Sequence, residues 1–151
     1  MAAHTPYILF NNILTQGTLT ATSEASGHPV SQAVNWLSWN YYEGIGTGTH
    51  TIKIDAGSGN QLTADAIGVG FGHNVAHIVV KRSDDDIVWY QAYQDTSLTE
   101  VNAMLRTFTQ VSARYWEIDV RNTTEAIKIP VIALGVSLML PGLKAGTKPP
   151  N

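Results

Sequence analysis

An aromatic cluster between residues 35 and 43 offers a surface that could bind a ligand. Trp36, Trp39, Tyr41 and Tyr42 are four of the chain's thirteen aromatic side chains, and a glycine-rich stretch follows them. Aromatic rings on a loop bury a large area with little loss of side-chain entropy, so they suit stacking on a sugar ring or a protein partner. Either tryptophan could instead close the end of a core. We expect Trp36 and Trp39 each to belong to the core, and at least one of Tyr41 and Tyr42 to be exposed.

Two groups of polar residues have metal-binding chemistry, and for both the sequence favours a structural role. His73 and His77 are four residues apart, as zinc ligands on a helix can be, but no acidic third ligand adjoins them and the segment leads into a predicted strand. The run 84–86 is all aspartate, yet it lacks the EF-hand spacing and falls where a hairpin turn is expected. We predict no metal site and no cofactor from these side chains.

No spacing typical of catalysis is present. The glycine-rich stretches 44–48 and 68–72 lack the G-x-G-x-x-G pattern and a phosphate-loop lysine. There is no G-x-S-x-G elbow, no cysteine for a thiolate nucleophile and no marked pair of carboxylates. The sequence therefore predicts that the protein is not an enzyme and that it has no catalytic residues.

Composition narrows the class of protein further. The chain has 151 residues, a net charge of -3 and only 14% charged residues, so it has no basic field for nucleic acid and room for one compact domain. The longest apolar stretch, 131–140, is about half of what a bilayer-spanning helix needs. We expect no nucleic-acid partner and no membrane insertion.

The elements that must position the aromatic cluster are predicted to be strands. Thr, Val and Ile supply 40 of the 151 residues, and these branched side chains favour pleated sheets. Runs with period-two alternation recur between clusters of Gly, Asn, Asp and Ser. The predicted strands are 50–55, 65–70, 77–82, 87–92 and 113–120. In a last block at 127–140, Pro130 indicates either two pieces or an edge position, since proline cannot donate to a ladder.

Two short helices and an extended tail complete this prediction. Leu98, Val101, Leu105 and Phe108 fall near helical spacing, and a second helix is predicted over 30–36. The proline-rich segment 141–151 shows no apolar period and is expected to be extended or to dock elsewhere. The sequence thus predicts one all-β domain over 1–140, followed by an extended tail over 141–151.

Several short motifs follow one another in a fixed order along the chain: 33–39 with its final tryptophan, 51–57, 81–89 with the pattern Ser-x-Asp-x-x-x-Trp, 113–118 and 132–138. This order resembles that of the discoidin, or coagulation factor 5/8 type C, domains among the galactose-binding-like sandwiches. Ala56 and Gly135 depart from the leucine and acidic residue usual there, and the cysteines of secreted members are missing. The resemblance implies a jelly-roll β-sandwich.

A looser likeness links the chain to the discoidin-like domains of tailed-bacteriophage virion proteins. It rests on Gly72-His73-Asn74 and on a late Leu-Pro-x-x-x-x-Gly stretch at 140–146. This likeness implies a structural component of a virion, in the tail or as a capsid decoration, assembled in the host cytoplasm in several copies and in contact with other virion proteins.

In such a sandwich, ligands meet the loops at one end. The resemblance therefore implies a binding site in the loops 39–48 and 71–74. The candidate residues for a carbohydrate or partner are His28, Trp39, Tyr41, Tyr42, His73 and Asn74. The alternative to the virion component is accordingly a carbohydrate-binding module that attaches to a host glycan. Many members also hold a structural calcium through loop carbonyls, a ligand set that leaves no residue signature, so the resemblance leaves a structural calcium open for this chain.

Overall fold

The protein folds as a β-sandwich of a five-stranded and a three-stranded antiparallel sheet. A computed structural model describes residues 7–98 and 102–140. Its strands are β1 (Tyr7–Leu9), β2 (Thr18–Ala21), β3 (Tyr42–Glu43), β4 (Gly48–Asp55), β5 (Leu62–Val69), β6 (His77–Ser83), β7 (Tyr90–Asp95), β8 (Met104–Ala113), β9 (Tyr115–Asn122), β10 (Lys128–Ile129), β11 (Ile132–Gly135) and β12 (Ser137–Met139). Short 3-10 helices occupy Ile13–Thr15 and Val30–Val34.

The strands of each sheet are antiparallel, so the connections between them lie at the strand ends. The larger sheet has the order β2-β4-β9-β6-β7 and the smaller the order β11-β5-β8, while β1 pairs with β12 and β3 with β10. The start of β4 at Gly48, the end of β9 at Asn122 and the start of β6 at His77 lie side by side at one end of the larger sheet. The loop 70–76, which connects β5 to β6, reaches the larger sheet at this end. We call this the loop end; it also contains the connections 22–47 and 123–131.

Alternation along the strands builds the core. In β4 and β9 every second side chain is buried, because successive residues of a strand point to opposite faces. Ile52, Ile54, Trp116 and Ile118 are completely buried between the sheets. The five predicted strands are therefore confirmed, with β7 beginning three residues later than expected.

The predicted helix from Leu98 to Phe108 is wrong over its second half. Residues 104–108 form the start of β8, which pairs with β5 from Val69 to Leu62. Tertiary pairing overrides the helical spacing here, since Thr107, Thr109 and Val111 are branched residues that fit a strand. The second predicted helix is a 3-10 turn over Val30–Val34.

Proline and glycine shape the last block of the chain. Pro130 lies between β10 and β11, and a second break at Val136 separates β11 from β12, so 127–140 forms three short strands where two pieces or an edge position were predicted. Gly135 pairs with Ala66, and a Cβ there would lie 1.7 Å from the Asn11 carbonyl oxygen. Only glycine allows that approach, which explains the absence of an acidic side chain. The predicted tail 141–151 lies outside the described residues.

Candidate functional site

The loop end is held together by hydrogen bonds between its three connections. Backbone bonds join Glu43 to His28 and Gly44 to Ile127, and β3 pairs with β10. Asn74 links two of the connections with its side chain: its amide nitrogen donates to the Ala126 carbonyl at 2.7 Å and its amide oxygen accepts from the Lys128 nitrogen at 2.7 Å. The loops are thus fixed in place before any ligand arrives.

His50 fixes the glycine-rich part of the first connection, a role that the sequence did not reveal. Its ring is buried, with Nδ1 2.9 Å from the Ser23 hydroxyl and Nε2 3.2 Å from the Gly46 carbonyl. A Cβ on Gly44 would lie 2.7 Å from this ring, so glycine is required there. The strand pattern placed residue 50 at a strand start and gave no sign of these contacts.

Trp36 and Trp39 are exposed, which corrects the expectation that each belongs to the core. They are 57% and 74% exposed. The turn that carries them is closed by the Asn35 carboxamide oxygen, which accepts from the Leu37 nitrogen at 2.9 Å, and by the Asn40 nitrogen, which donates to the Leu37 carbonyl. Trp36 has a φ of 64°, a strained backbone for a bulky residue, and such strain is concentrated at functional sites.

Tyr41 and His28 come together, but as a stack and not as two free groups. Their ring centroids are 4.1 Å apart with 16° between the planes, and the Lys128 ammonium lies 5.8 Å from the Tyr41 centroid. Both residues are only partly exposed. The His28 ring therefore covers one face of the Tyr41 ring.

Tyr42 and His73 are buried, and their placement corrects the prediction that they contact a ligand. Tyr42 is fully buried and its hydroxyl donates to the Ser23 carbonyl at 2.9 Å. Burial, with the charge of Glu24 adding to it, raises the pKa of Tyr42 to about 12. His73 is 1% exposed; its Nε2 lies 3.1 Å from the Asn102 carbonyl and its Nδ1 accepts from the Val75 nitrogen. Both side chains position loops.

An apolar groove lies beside Trp36. It has a volume of about 170 Å³, and its lining includes Trp36, Leu9, Gly68, Gly70, Val131 and Met104. Gly68 of β5 and Gly70 after it have no side chains, which leaves space in the groove. Phe71, which is 69% exposed, is the next residue in the chain after Gly70. Trp36 thus borders a shallow apolar groove.

The side chains that could bind a metal ion do not cluster in the part of the chain that the structure describes. Within residues 7–98 and 102–140, no three His, Asp or Glu side chains come together as a metal site would require. The aspartates of 84–86 form a turn at the end opposite the loop end, where the Asp85 carboxylate accepts from the nitrogens of Ile87 and Val88. Calcium held by loop carbonyls stays a prediction of the sequence resemblance. No helix in the described part of the chain is long and apolar enough to span a bilayer.

Comparison with solved structures shows the fold. The chitosan-binding module 1 of a Paenibacillus sp. IK-5 chitosanase/glucanase matches with a TM-score of 0.68 and 18% identity, over 82% of this chain and 98% of that one. A CBM32 module of Clostridium perfringens in complex with GalNAc-β-1,3-galactose matches with a TM-score of 0.65 and 10% identity, over 78% and 94%.

A larger protein contains the same fold as a part. A putative alpha-L-fucosidase of Bacteroides thetaiotaomicron matches with a TM-score of 0.69 and 14% identity, over 87% of this chain but 29% of that one. No family model and no curated protein sequence matches the chain. The chain therefore has the galactose-binding-like β-sandwich fold that these carbohydrate-binding modules share.

Proposed function

We propose that this protein is a non-catalytic carbohydrate-binding module whose ligand lies on the loop end. The observation that carries the proposal is the presence of Trp36, Trp39 and Phe71 there, each more than half exposed. Three large aromatic rings exposed to water at one end of a sandwich are costly unless a partner covers them. Sugar rings have apolar C–H faces that stack on such rings.

The fixed loops support the same conclusion. A site that is already ordered loses little conformational entropy when a weak ligand binds. Asn74 and His50 hold the connections through bonds to four different backbone groups or side chains. The likeness to a chitosan-binding module and to a module that holds GalNAc-β-1,3-galactose supports this proposal over the virion component.

Isothermal titration with oligosaccharides tests the proposal, after a polysaccharide pull-down identifies a ligand. We expect Trp39→Ala to weaken binding about tenfold, since stacking of a nucleobase on one aromatic side chain contributes about 1–3 kcal/mol and a sugar ring covers a similar face. Tyr90→Ala is the matched control, because Tyr90 is 55% exposed at the far end of β7. Binding to no polysaccharide, or equal binding by Trp39→Ala and the unchanged protein, would reject the carbohydrate site.

The setting in a phage particle remains a separate proposal. Its support is the sequence likeness at Gly72-His73-Asn74 and 140–146. It concerns location, partners and copy number, and a carbohydrate-binding module can serve such a particle. Antibody labelling of purified particles would test it, and particles without the protein would contradict it.

A further inference from the structure

The outer face of the five-stranded sheet arranges its polar side chains in rows. Thr49 on β4 lies opposite Arg121 on β9, and Arg121 lies opposite His77 on β6. The next row contains Thr51, Asp119 and Val79 in the same strand order. Because residues two apart on a strand share a face, these two rows lie side by side, next to the loop end.

A pocket of about 120 Å³ opens between the two rows. It is lined by Thr49, His77, Val79, Asp119 and Arg121. The His77 Nε2 atom is buried and has no hydrogen-bond partner within the described residues. A buried polar nitrogen without a partner is costly, which is why such atoms in native structures call for an explanation such as a bound group.

The charges of this face leave one cation unpaired. Lys81 binds Glu117 and Asp119 at 2.9 and 3.0 Å, Lys53 pairs with Asp86, and Arg114 pairs with Asp55. Arg121 has no ion pair among residues 7–98 and 102–140. Its guanidinium presents donors whose geometry matches a carboxylate, beside the free His77 nitrogen.

The remaining lining is suited to a hydroxylated ring. Asp119 accepts from the Thr51 hydroxyl at 2.6 Å and from Lys81, and a carboxylate has further lone pairs for a ligand hydroxyl. Thr49 supplies a hydroxyl and Val79 an apolar contact. A ligand that matches all of these groups carries a carboxylate, hydroxyls and a C–H face.

We propose that this pocket is a second binding site, distinct from the loop end, for the carboxylate of an acidic saccharide such as a hexuronic acid. Arg121 pairs with the carboxylate, and His77 donates from Nε2. Only the choice of a saccharide rests on the proposed function; the anion site stands on the sheet face alone.

An NMR titration of the full chain with glucuronate tests the site, with glucose as the neutral counterpart and acetate as the carboxylate without a sugar. The His77 imidazole signal is assigned as the one of the five histidine signals that a His77→Gln variant lacks. We expect glucuronate to shift this signal saturably, and glucose and acetate to shift it much less. Equal shifts with acetate would overturn the saccharide, and no shift with glucuronate would overturn the site.

Variants separate this site from the loop end. We expect Arg121→Gln to weaken glucuronate binding about tenfold or more, as loss of a charge-assisted bidentate pair does. Arg82→Gln is the matched control, because Arg82 lies over Tyr90 outside the pocket. Trp39→Ala should leave glucuronate binding unchanged. Loss of binding in Trp39→Ala and not in Arg121→Gln would place the acid at the loop end and overturn the second site.

Discussion

The indole nitrogen of Trp116 donates a hydrogen bond to the Leu62 carbonyl oxygen 3.0 Å away, and so joins the two sheets through the core. Trp116 lies on β9 of the larger sheet and Leu62 begins β5 of the smaller one. Trp116 is completely buried, with Phe108 of β8 at 6.3 Å between ring centroids. One side chain thus satisfies a buried carbonyl and fills the space between the layers.

Replacing Trp116 by Phe should destabilise the fold strongly. The change leaves the Leu62 carbonyl unpaired and opens a cavity, so we expect a loss of at least about 2 kcal/mol in the free energy of unfolding. Urea denaturation measures it. Trp39→Phe, at a site 74% exposed, is the control and should change stability by less than about 0.5 kcal/mol. Similar values for the two variants would contradict this role of Trp116.

Alkaline pH should destabilise the protein through Tyr42. Burial raises the pKa of Tyr42 from 10.0 to about 12. The unfolded chain therefore ionises first, and the stability from this group is complete below pH 10 and is lost as the pH rises toward 12. Denaturation curves between these pH values should show a fall that Tyr42→Phe reduces. An equally steep fall in the variant would show that other groups cause it.

Acid should weaken the opposite end of the sandwich. Hydrogen bonds from Arg114, at 2.8 and 3.1 Å, and from the Gly57 nitrogen hold the pKa of Asp55 below its usual 3.8. A lowered folded pKa means stability that is present above 3.8 and is lost as the pH falls through the folded value. Asp55→Asn should make the acid limb of the stability curve shallower. An unchanged acid limb would refute the contribution.

Asn74 should position the binding loops without touching the ligand. Asn74→Ala removes the bonds to Ala126 and Lys128, and we expect a loss of about 2 kcal/mol in stability together with weaker glycan binding. Asn60→Ala is the control, since Asn60 donates to the Ala56 carbonyl at the other end. Full glycan affinity in Asn74→Ala would show that the loops hold their arrangement without it.

Filling the groove beside Trp36 should block the ligand and spare the fold. A Cβ on Gly68 meets Leu105 and the Met104 carbonyl at 3.6 Å, an ordinary contact, so a side chain there fits the backbone. We expect Gly68→Leu to reduce glycan affinity about tenfold while the melting temperature stays close to that of Gly68→Ala. Titration calorimetry and thermal unfolding provide the two readings. Undiminished affinity would show that the ligand does not use the groove.

Much of the fold could be predicted because its signal is local. The alternation of Ile52 and Ile54 with Thr51 and Lys53 is a property of one strand and appears in the sequence as it does in the sheet. The helix expected over 98–108 was wrong over 104–108 because the pairing of β8 with β5 is a contact between distant segments. Local spacing carries no information about that partner.

The candidate site was predicted only as a region. The loops 39–48 and 71–74 lie at the same end of the sandwich, and a ligand site there stays a prediction. Which aromatic side chains remain exposed depended on distant contacts. Tyr42 is buried with its hydroxyl bonded to the Ser23 carbonyl, whereas Trp36 is exposed and has a backbone φ of 64°.

The sequence by itself determined a β-rich fold with an aromatic stretch between its strands, since branched residues at period two and turn residues between them act over a few neighbouring positions. Only the tertiary structure decided which rings a ligand can reach and which histidine nitrogens are left without a partner. The pocket on the sheet face follows from strand register, which sets Arg121 between Thr49 and His77 although the three residues are far apart in the chain. Register is a property of pairs of strands, and a single segment does not encode it.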